Sequence, residues 1–537
     1  MPTEPYKALF RYDYVRSPDQ DGAAPVHHPV IVVGAGPIGL AAATDLAQRG
    51  IPVVVLDDSD RIAEGSRAIC FSKRALEVAD RLGVGERMVE KGVVWKVGKI
   101  FSDTDLVYQF DLLPEPGHKR PAFINLQQYY VEAWLVERAR ELTNIDLRWR
   151  NRVVSVTPRE AGAEITVETP DGPYRLTCDW LIACDGARSS VRSSLGLEFV
   201  GQAFDDRFLI VDVRMKAGFP PERWFWFDPP FHHGQSALLH KQPDDIWRID
   251  FQLGRDADPD DEKRFDRVEP RLRAMLGGEA EFEIQWVSVY TFQCKRMERF
   301  VHDRVVFAGD AAHQVSPFGA RGANSGFEDA HNLAWKLAAI IAGEAPAGLI
   351  DSYAAERELA ADDNIGHSTR ATDFISPKSP VARVFRNAVL KLAGNAGFAR
   401  AMINSGRLST PSVYDASPLN TPDADDWNGA ARIGAAPLDA PLRDAGGRET
   451  WLLDELSDGF TAICVSDDAR PDVPEGITLK LIGEELIDAE GLFRARYDAR
   501  PGSTYLFRPD QYLCARFRAY DAETLAAARL RALGRQP

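Results

Sequence analysis

Val30-Ile-Val-Val-Gly-Ala-Gly-Pro-Ile-Gly-Leu-Ala-Ala-Ala-Thr-Asp-Leu-Ala47 is the stretch that decides the fold. The unbroken apolar run from Val30 to Val33 fits a strand buried on both faces, and the small and apolar residues from Leu40 onward fit a helix packed on it. Between them Gly34, Gly36 and Gly39 form a GxGxxG turn, and a second run, Val53-Val-Val-Leu56, ends on Asp57. This is a strand, turn, helix, strand unit of the parallel type. Its glycines let the backbone approach a pyrophosphate whose charge is stabilised by the helix N-terminus, and a carboxylate at Asp57 would accept the hydroxyls of an adenosine ribose. A glycine-rich turn alone could merely pack helix on strand. The turn followed by Asp57 points to a dinucleotide.

Further strand signals lie at Trp180-Leu-Ile-Ala-Cys184 and Arg304-Val-Val-Phe-Ala308, each closing on a Gly/Asp turn. The first runs into Asp185-Gly186 and Arg188 to Arg192, the second into Gly309-Asp310 and then Pro317-Phe-Gly-Ala-Arg-Gly322. Phe327, Ala330, Leu333, Ala334, Leu337 and Ile341 recur at helical spacing, which predicts a helix from about Ser325 to Ala342 with one face in the core. Between the two strands, from about Asp206 to Gln293, alternation such as Trp247-Arg-Ile-Asp-Phe-Gln-Leu253 predicts an antiparallel sheet inserted into the α/β domain. The resulting division is an extended arm over 1–28, in which Tyr6, Phe10, Tyr12 and Tyr14 are free to pack; the dinucleotide domain over 29–105, 127–200 and 301–409, the last with a helical extension ending near Arg407; a substrate domain over 106–126 and 201–300; a Pro/Ser/Asp-rich linker over 410–428; and a last domain over 429–537.

The chain has 537 residues and a net charge of −16, from 64 Lys and Arg against 80 Asp and Glu. Such a balance gives no global basic field for nucleic acid or an anionic membrane, and no stretch approaches the roughly 20 apolar residues of a membrane helix. The start of the chain lacks an apolar signal core, so a cytoplasmic protein is expected. The six cysteines are scattered without a CxxC or CxxH pair, so buried reduced thiols are expected and no metal.

The three motifs, in this order and from about Val30 to Arg370, resemble those of the flavin-dependent aromatic hydroxylases, the single-component FAD monooxygenases of the phenol hydroxylase and 3-(3-hydroxyphenyl)propionate hydroxylase branch. The resemblance implies that Gly34, Gly36 and Gly39 bind the FAD pyrophosphate, that Asp57 holds the adenosine ribose, and that Arg67 and Gln128 contact the cofactor. It implies that Asp185 supports FAD and the nicotinamide cofactor, that Asp310 of the Gly309-Asp310 pair contacts the ribitol, and that Pro317 to Gly322 form the flavin-ring loop. Many relatives read Gly-Gly-Gln-Gly where this chain reads Gly319-Ala-Arg-Gly322. The last domain, through Tyr505-Leu-Phe-Arg-Pro-Asp-Gln-Tyr-Leu513, resembles the thioredoxin-like appendage of that branch. A homodimer is expected from the resemblance alone.

The implied reaction consumes NADH or NADPH and O2, with a flavin C4a-hydroperoxide hydroxylating a phenolic, carboxylated aromatic compound. The inserted sheet should roof the substrate cavity, and Tyr290, His240 and Asp250 on its strands could hydrogen-bond or deprotonate a phenol. Arg248 and Arg321 are candidates for a substrate carboxylate, and Trp224 to Phe227 with Phe231 for cavity wall and core. An alkaloid, polyketide or antibiotic scaffold is the alternative substrate, and a non-catalytic protein retaining the FAD fold the alternative class. An ordinary NAD-dependent dehydrogenase would not need Gly309-Asp310 so far downstream.

Overall fold

The computed structural model describes residues 10–535 apart from 23, 64–66, 255, 404–407 and 467–471, with the side chains of 203–205 also outside the description. Tyr6 and Arg407 thus lie outside the described residues. Val26–Val33 is the central strand of the nucleotide sheet, parallel to Val53–Leu56 on one side and to Gly172–Ala183 on the other. Ile145–Arg148 extends the sheet beyond Val53–Leu56, and Val305–Phe307 extends it beyond Gly172–Ala183. Val33 pairs with both Leu56 and Ala183, and Ala183 with Phe307, so three strands and their central neighbour end on one line. Gly34, Asp57, Asp185 and Gly309-Asp310 all follow those ends. They meet at the carboxyl edge of the sheet, where the chain's connections diverge to opposite sides of the central strand, the position at which open α/β sheets bind nucleotides.

The sheet is buried on both faces, with Val30, Ile31 and Val32 fully enclosed. Pro37–Gln48 and the long Gly322–Ile341 helix pack on it, the latter starting a few residues before the expected Ser325. Leu349–Ile375, Pro380–Ala393 and Gly397–Ile403 follow.

The inserted sheet has the strand order His313–Gln314, Glu283–Met297, Phe199–Arg214, Ile246–Leu253, Ser236–Lys241, Arg223–Phe227, Val97–Ser102, Asp105–Asp111. Val97–Ser102 therefore belongs with the substrate sheet and not, as the expected boundary at 106 has it, with the dinucleotide domain. It forms a hairpin with Asp105–Asp111 across a turn in which Asp103 has φ 56°. Register divides this sheet into two faces. Leu209, Val211, Leu239, Trp247, Ile249 and Phe251 point away from the nucleotide domain into a core closed by Phe265–Leu276. Phe208, Phe225 and Phe227 point towards it and pack with Phe318 and Phe292.

Residues 410–428 are not a solvated tether. Tyr414 is buried, its amide donates to Gly434 O at 2.7 Å, and Asn420 Nδ2 donates to Tyr414 O at 2.6 Å, so the polar composition satisfies a packed strap. The thioredoxin-like C-terminal domain is built on a sheet in which Phe460–Val465 runs parallel to Ile477–Ile482 and antiparallel to Thr504–Phe507, with Leu513–Phe517 beyond. Within the arm Tyr12 stacks on Trp149 at 4.5 Å, and the Tyr14 hydroxyl donates to Asp171 at 3.1 Å.

Candidate active site

Gly34 has φ 104°, and a Cβ there would stand 2.5 Å from Cys184 O; a Cβ on Gly39 would run into the Gly34 carbonyl. Only glycine satisfies this turn. At Gly36 a Cβ would meet nothing within 4 Å, and the helix that begins beside it has no side-chain cap, so its first amides are available to an anion. Asp57 accepts from Ala35 N at 2.6 Å and Ser59 N at 2.8 Å, which holds the carboxylate against the turn. Burial pushes it up to about 6, Asp58 and Asp185 add to the rise, and the two amides oppose it.

Gln128 Oε1 accepts from Ala68 N at 3.0 Å and its Nε2 donates to Glu132 at 2.7 Å, fixing the segment that carries Arg67. Glu132, pushed up to about 7 by burial, also accepts from Ala63 N at 2.7 Å. Asp185 caps the short Ser190–Ser194 helix through Val191 N at 3.1 Å with one oxygen, while its Oδ1 is buried without a partner. Arg192 is not a surface residue: it is buried and donates to Ala311 O at 3.0 Å and Ala187 O at 2.8 Å, tying the Asp185 loop to the Gly309 loop.

Asp310 faces solvent although it is closely surrounded, as expected of a group opening onto an internal cleft. Burial raises it, His313 and Arg67 oppose that rise, and Asp329 adds to it. Asp329 is the residue that sequence reasoning missed. Fully buried in the long helix, it accepts from Gly309 N at 2.9 Å, meets His313 Nε2 at 2.6 Å and accepts from Arg357 Nε at 2.6 Å. Arg357 in turn donates to Tyr414, which stacks on Tyr512 of the C-terminal domain at 4.9 Å. Arg508 of the same domain donates to Glu356 at 2.6 Å, so the appendage closes the polar core behind the Gly309 loop.

Pro317–Gly319 forms a turn whose Phe318 packs edge-on against Phe208 and Phe292, each at 5.0 Å, and so pins the ring loop to the substrate sheet. Ala320 follows at φ 51°, a left-handed position where a non-glycine residue costs roughly 1 kcal/mol. Gly322 begins the long helix without a side-chain cap.

The substrate-sheet face opposite is polar at one end. Cross-strand pairing sets His240 beside Arg248 and Arg248 beside Asp212, and the register of Arg223–Phe227 with Ser236–Lys241 carries the row on to Arg223. Arg248 and Asp212 are paired through two bonds of 2.8 Å, with Trp286 beneath the guanidinium at 5.4 Å. Arg248 is therefore already neutralised. Arg321 turns to Asn364 at 3.2 Å and away from this row, and burial with Arg370 nearby lowers it to about 10. Arg223 differs from both: it is buried, its only hydrogen bond among the described residues is a 3.4 Å contact to Phe318 O, and no carboxylate among them forms an ion pair with it.

His240 is held well below its usual range by burial and by Arg223 and Arg248, so it stays neutral, with Nδ1 unpartnered. Asp250, next along the same face, is pushed up to about 6 by burial, and its Oδ1 is also unpartnered. Tyr290 stands apart from these two. It is 37% exposed and lies at the cofactor end, where burial and Asp310 push its phenol up to about 12 while Arg67 opposes. Of the aromatic cluster, Phe225 and Phe227 face the cleft side, whereas Trp224 and Trp226 turn outward onto Phe101 at 5.4 and 5.2 Å.

The glycine turn, closed to side chains at Gly34 and Gly39 and open at Gly36, the orphaned Asp185 oxygen and the open Asp310 suit a dinucleotide that runs along the sheet edge to the Pro317 loop. The chain matches the FAD binding domain family over residues 27–368 and belongs to it. It is 30% identical to 6-methylpretetramide 4-monooxygenase of Streptomyces rimosus over 96% of this chain and 94% of that one. It is 25% identical to the 3-(3-hydroxy-phenyl)propionate/3-hydroxycinnamic acid hydroxylase of Mycolicibacterium smegmatis over 93% and 92%. Its fold is similar to that of the flavin-dependent monooxygenase PieE, solved with FAD and substrate, with TM-score 0.81, 22% identity and coverage of 96% and 100%. The protein is an FAD-dependent aromatic monooxygenase that uses NAD(P)H and O2.

Proposed function

We propose that the substrate is a phenol bearing a carboxylate or another anionic oxygen, bound with that group against Arg223 and its ring between the polar row and the Pro317 loop. The observation that carries this reading is the buried guanidinium of Arg223, which forms no ion pair among the described residues and has only the charge of Asp250 acting on it from nearby, an arrangement that an anionic substrate group would complete. Asp250 takes the phenolic proton through its unpartnered oxygen, which makes the ring a better nucleophile, and neutral His240 orients the substrate by hydrogen bonding. Tyr290, at the cofactor end, positions the reacting edge. Phe225, Phe227 and Phe318 exclude water. The Gly34 turn, Asp57, Arg67, Gln128, Asp185 and Asp310 would hold FAD, which would supply the oxygen-transfer chemistry.

A fused-ring polyketide substrate is the second reading, supported by the full-length match to 6-methylpretetramide 4-monooxygenase. Acidic oxygens on such a scaffold would also suit Arg223. The test is NADH and NADPH oxidation with product identification across hydroxybenzoates, hydroxyphenylpropionates, resorcinol, simple phenols and hydroxylated polycyclic ketones. Coupled product from carboxylated phenols alone supports the first reading. Coupled product from the polycycles alone replaces it with the second.

A further inference from the structure

Among the described residues fifteen large apolar side chains are exposed, and six of them, Val381, Val384, Phe385, Leu392, Phe398 and Met402, sit on two consecutive short helices. Val381, Val384, Phe385 and Leu392 recur at helical spacing on one stripe of Pro380–Ala393, and Val381 and Val384 are 79% and 71% exposed. The opposite stripe, with Val389, Leu390 and Ala393, is buried against the aromatic cluster of the substrate sheet, and Arg386 lies over Phe227 at 5.6 Å. This helix is thus apolar on the side it buries and apolar on the side it leaves bare. Exposed apolar residues are ordinary when scattered and informative when gathered.

Charge says what covers the patch. No Asp or Glu occurs between Asp373 and Asp415, whereas Lys378, Arg383, Arg386, Lys391, Arg400 and Arg407 do, in a chain of net charge −16. Arg400 is spent joining the two helices, donating to Ala393 O at 2.7 Å and Gly394 O at 2.8 Å. Arg383 and Lys391 are exposed, and neither forms an ion pair among the described residues. The partner must therefore be both anionic and able to take up apolar side chains. A second copy docked by two-fold symmetry would set Arg383 and Lys391 against their own counterparts, and a contact with the acidic remainder of another copy would not close. An anionic bilayer meets both demands, with the apolar stripe below the headgroups and the cations among them.

We propose that Pro380–Ala393 and Gly397–Ile403 dock the enzyme peripherally on an anionic lipid bilayer. No helix among the described residues is long and apolar enough to cross a membrane, so the contact is in-plane. The holoenzyme should float with vesicles of phosphatidylcholine and phosphatidylglycerol in equal parts at low salt, remain free with phosphatidylcholine alone, and be released as salt rises. Phe385→Asp with Phe398→Asp should lower partitioning by at least about tenfold while leaving flavin content and turnover unchanged, and Arg383→Glu with Lys391→Glu should do the same. The proposal is overturned by no flotation on the anionic vesicles, by equal flotation on both, or by binding that survives both pairs. A concentration-dependent dimer that Phe385→Asp dissociates, without vesicle binding, would assign the patch to a second copy instead. Because flotation of the wild type is read without any turnover, its failure leaves the Arg223 reading untouched.

Discussion

The two walls of the cleft are built on different terms. On the nucleotide wall most of the fixed groups are already bonded, Asp57 to the Ala35 amide, Gln128 to Ala68 and Gly309 to Asp329, with Asp185 Oδ1 left unpartnered. On the substrate wall Arg223 forms no ion pair among the described residues, and His240 and Asp250 each hold an unpartnered atom. A cofactor that is always the same rewards a rigid preformed cradle. A substrate that must be selected rewards polar groups left unsatisfied until the correct partner arrives, because the penalty for binding the wrong one is then large.

The largest effect should come from Asp250→Asn, with turnover reduced on the order of a thousandfold if the carboxylate is the base. In the wild type kcat/KM should rise with pH through about 6 and level off, because the base must be ionised, and the Asn variant should lose that inflection. Stability adds an independent check. A carboxyl raised to about 6 from its ordinary 3.8 holds its proton longer in the native state than in the unfolded chain, so native stability falls as pH rises between those values and is flat above. Asp250→Asn should therefore be more stable than wild type at pH 7 by on the order of 2 kcal/mol and no more stable below pH 4, as read from denaturant melts.

Arg223→Met should lower kcat/KM for a carboxylated phenol roughly a hundredfold and change that for its neutral analogue little, as for loss of a buried charge-assisted bond. Equal losses on both would make Arg223 part of the scaffold and erase the contrast between the walls. Asp310→Ala tests the other wall: the chain should fold, and the FAD dissociation constant, followed by flavin fluorescence, should rise by about thirtyfold. Flavin retained at full stoichiometry and affinity would remove Asp310 from the site. The smallest effect is Tyr290→Phe, about tenfold slower hydroxylation with FAD binding intact; unchanged turnover of the true substrate would leave Tyr290 as mere cavity lining.

The contrast also explains what could be read from the chain. The nucleotide wall is written in contiguous motifs, because a glycine turn or a Gly-Asp pair at a strand end carries both its conformation and its chemistry. Asp329 escaped because it lies mid-helix, although Asp329, Asn332 and Lys336 form a polar stripe on a helix that is buried over most of its length, which is a signal. Arg223 could not be found from its neighbours, since only the register between two consecutive strands places it beside His240. Arg248 looked available for a similar reason, its partner Asp212 lying 36 residues away in sequence, beyond two intervening strands, and directly opposite in space. Composition misled at 410–428, where Tyr414 and Asn420 turn a polar stretch into a packed one.

The strand order of the nucleotide sheet also governs when it can form. Val26–Val33 is made before the other strands of its sheet, but the strand on one of its flanks is Gly172–Ala183, and that strand waits for Val305–Phe307. Closing such separations is slow and entropically costly. Through much of synthesis the nascent chain thus carries an apolar strand with a bare edge, the condition that favours association with the wrong partner. Asp310 is made later still, and Arg508, which completes the buried charges behind it, later again. Asp310, proposed above to hold the flavin, thus joins the site only after every strand of that sheet has been made.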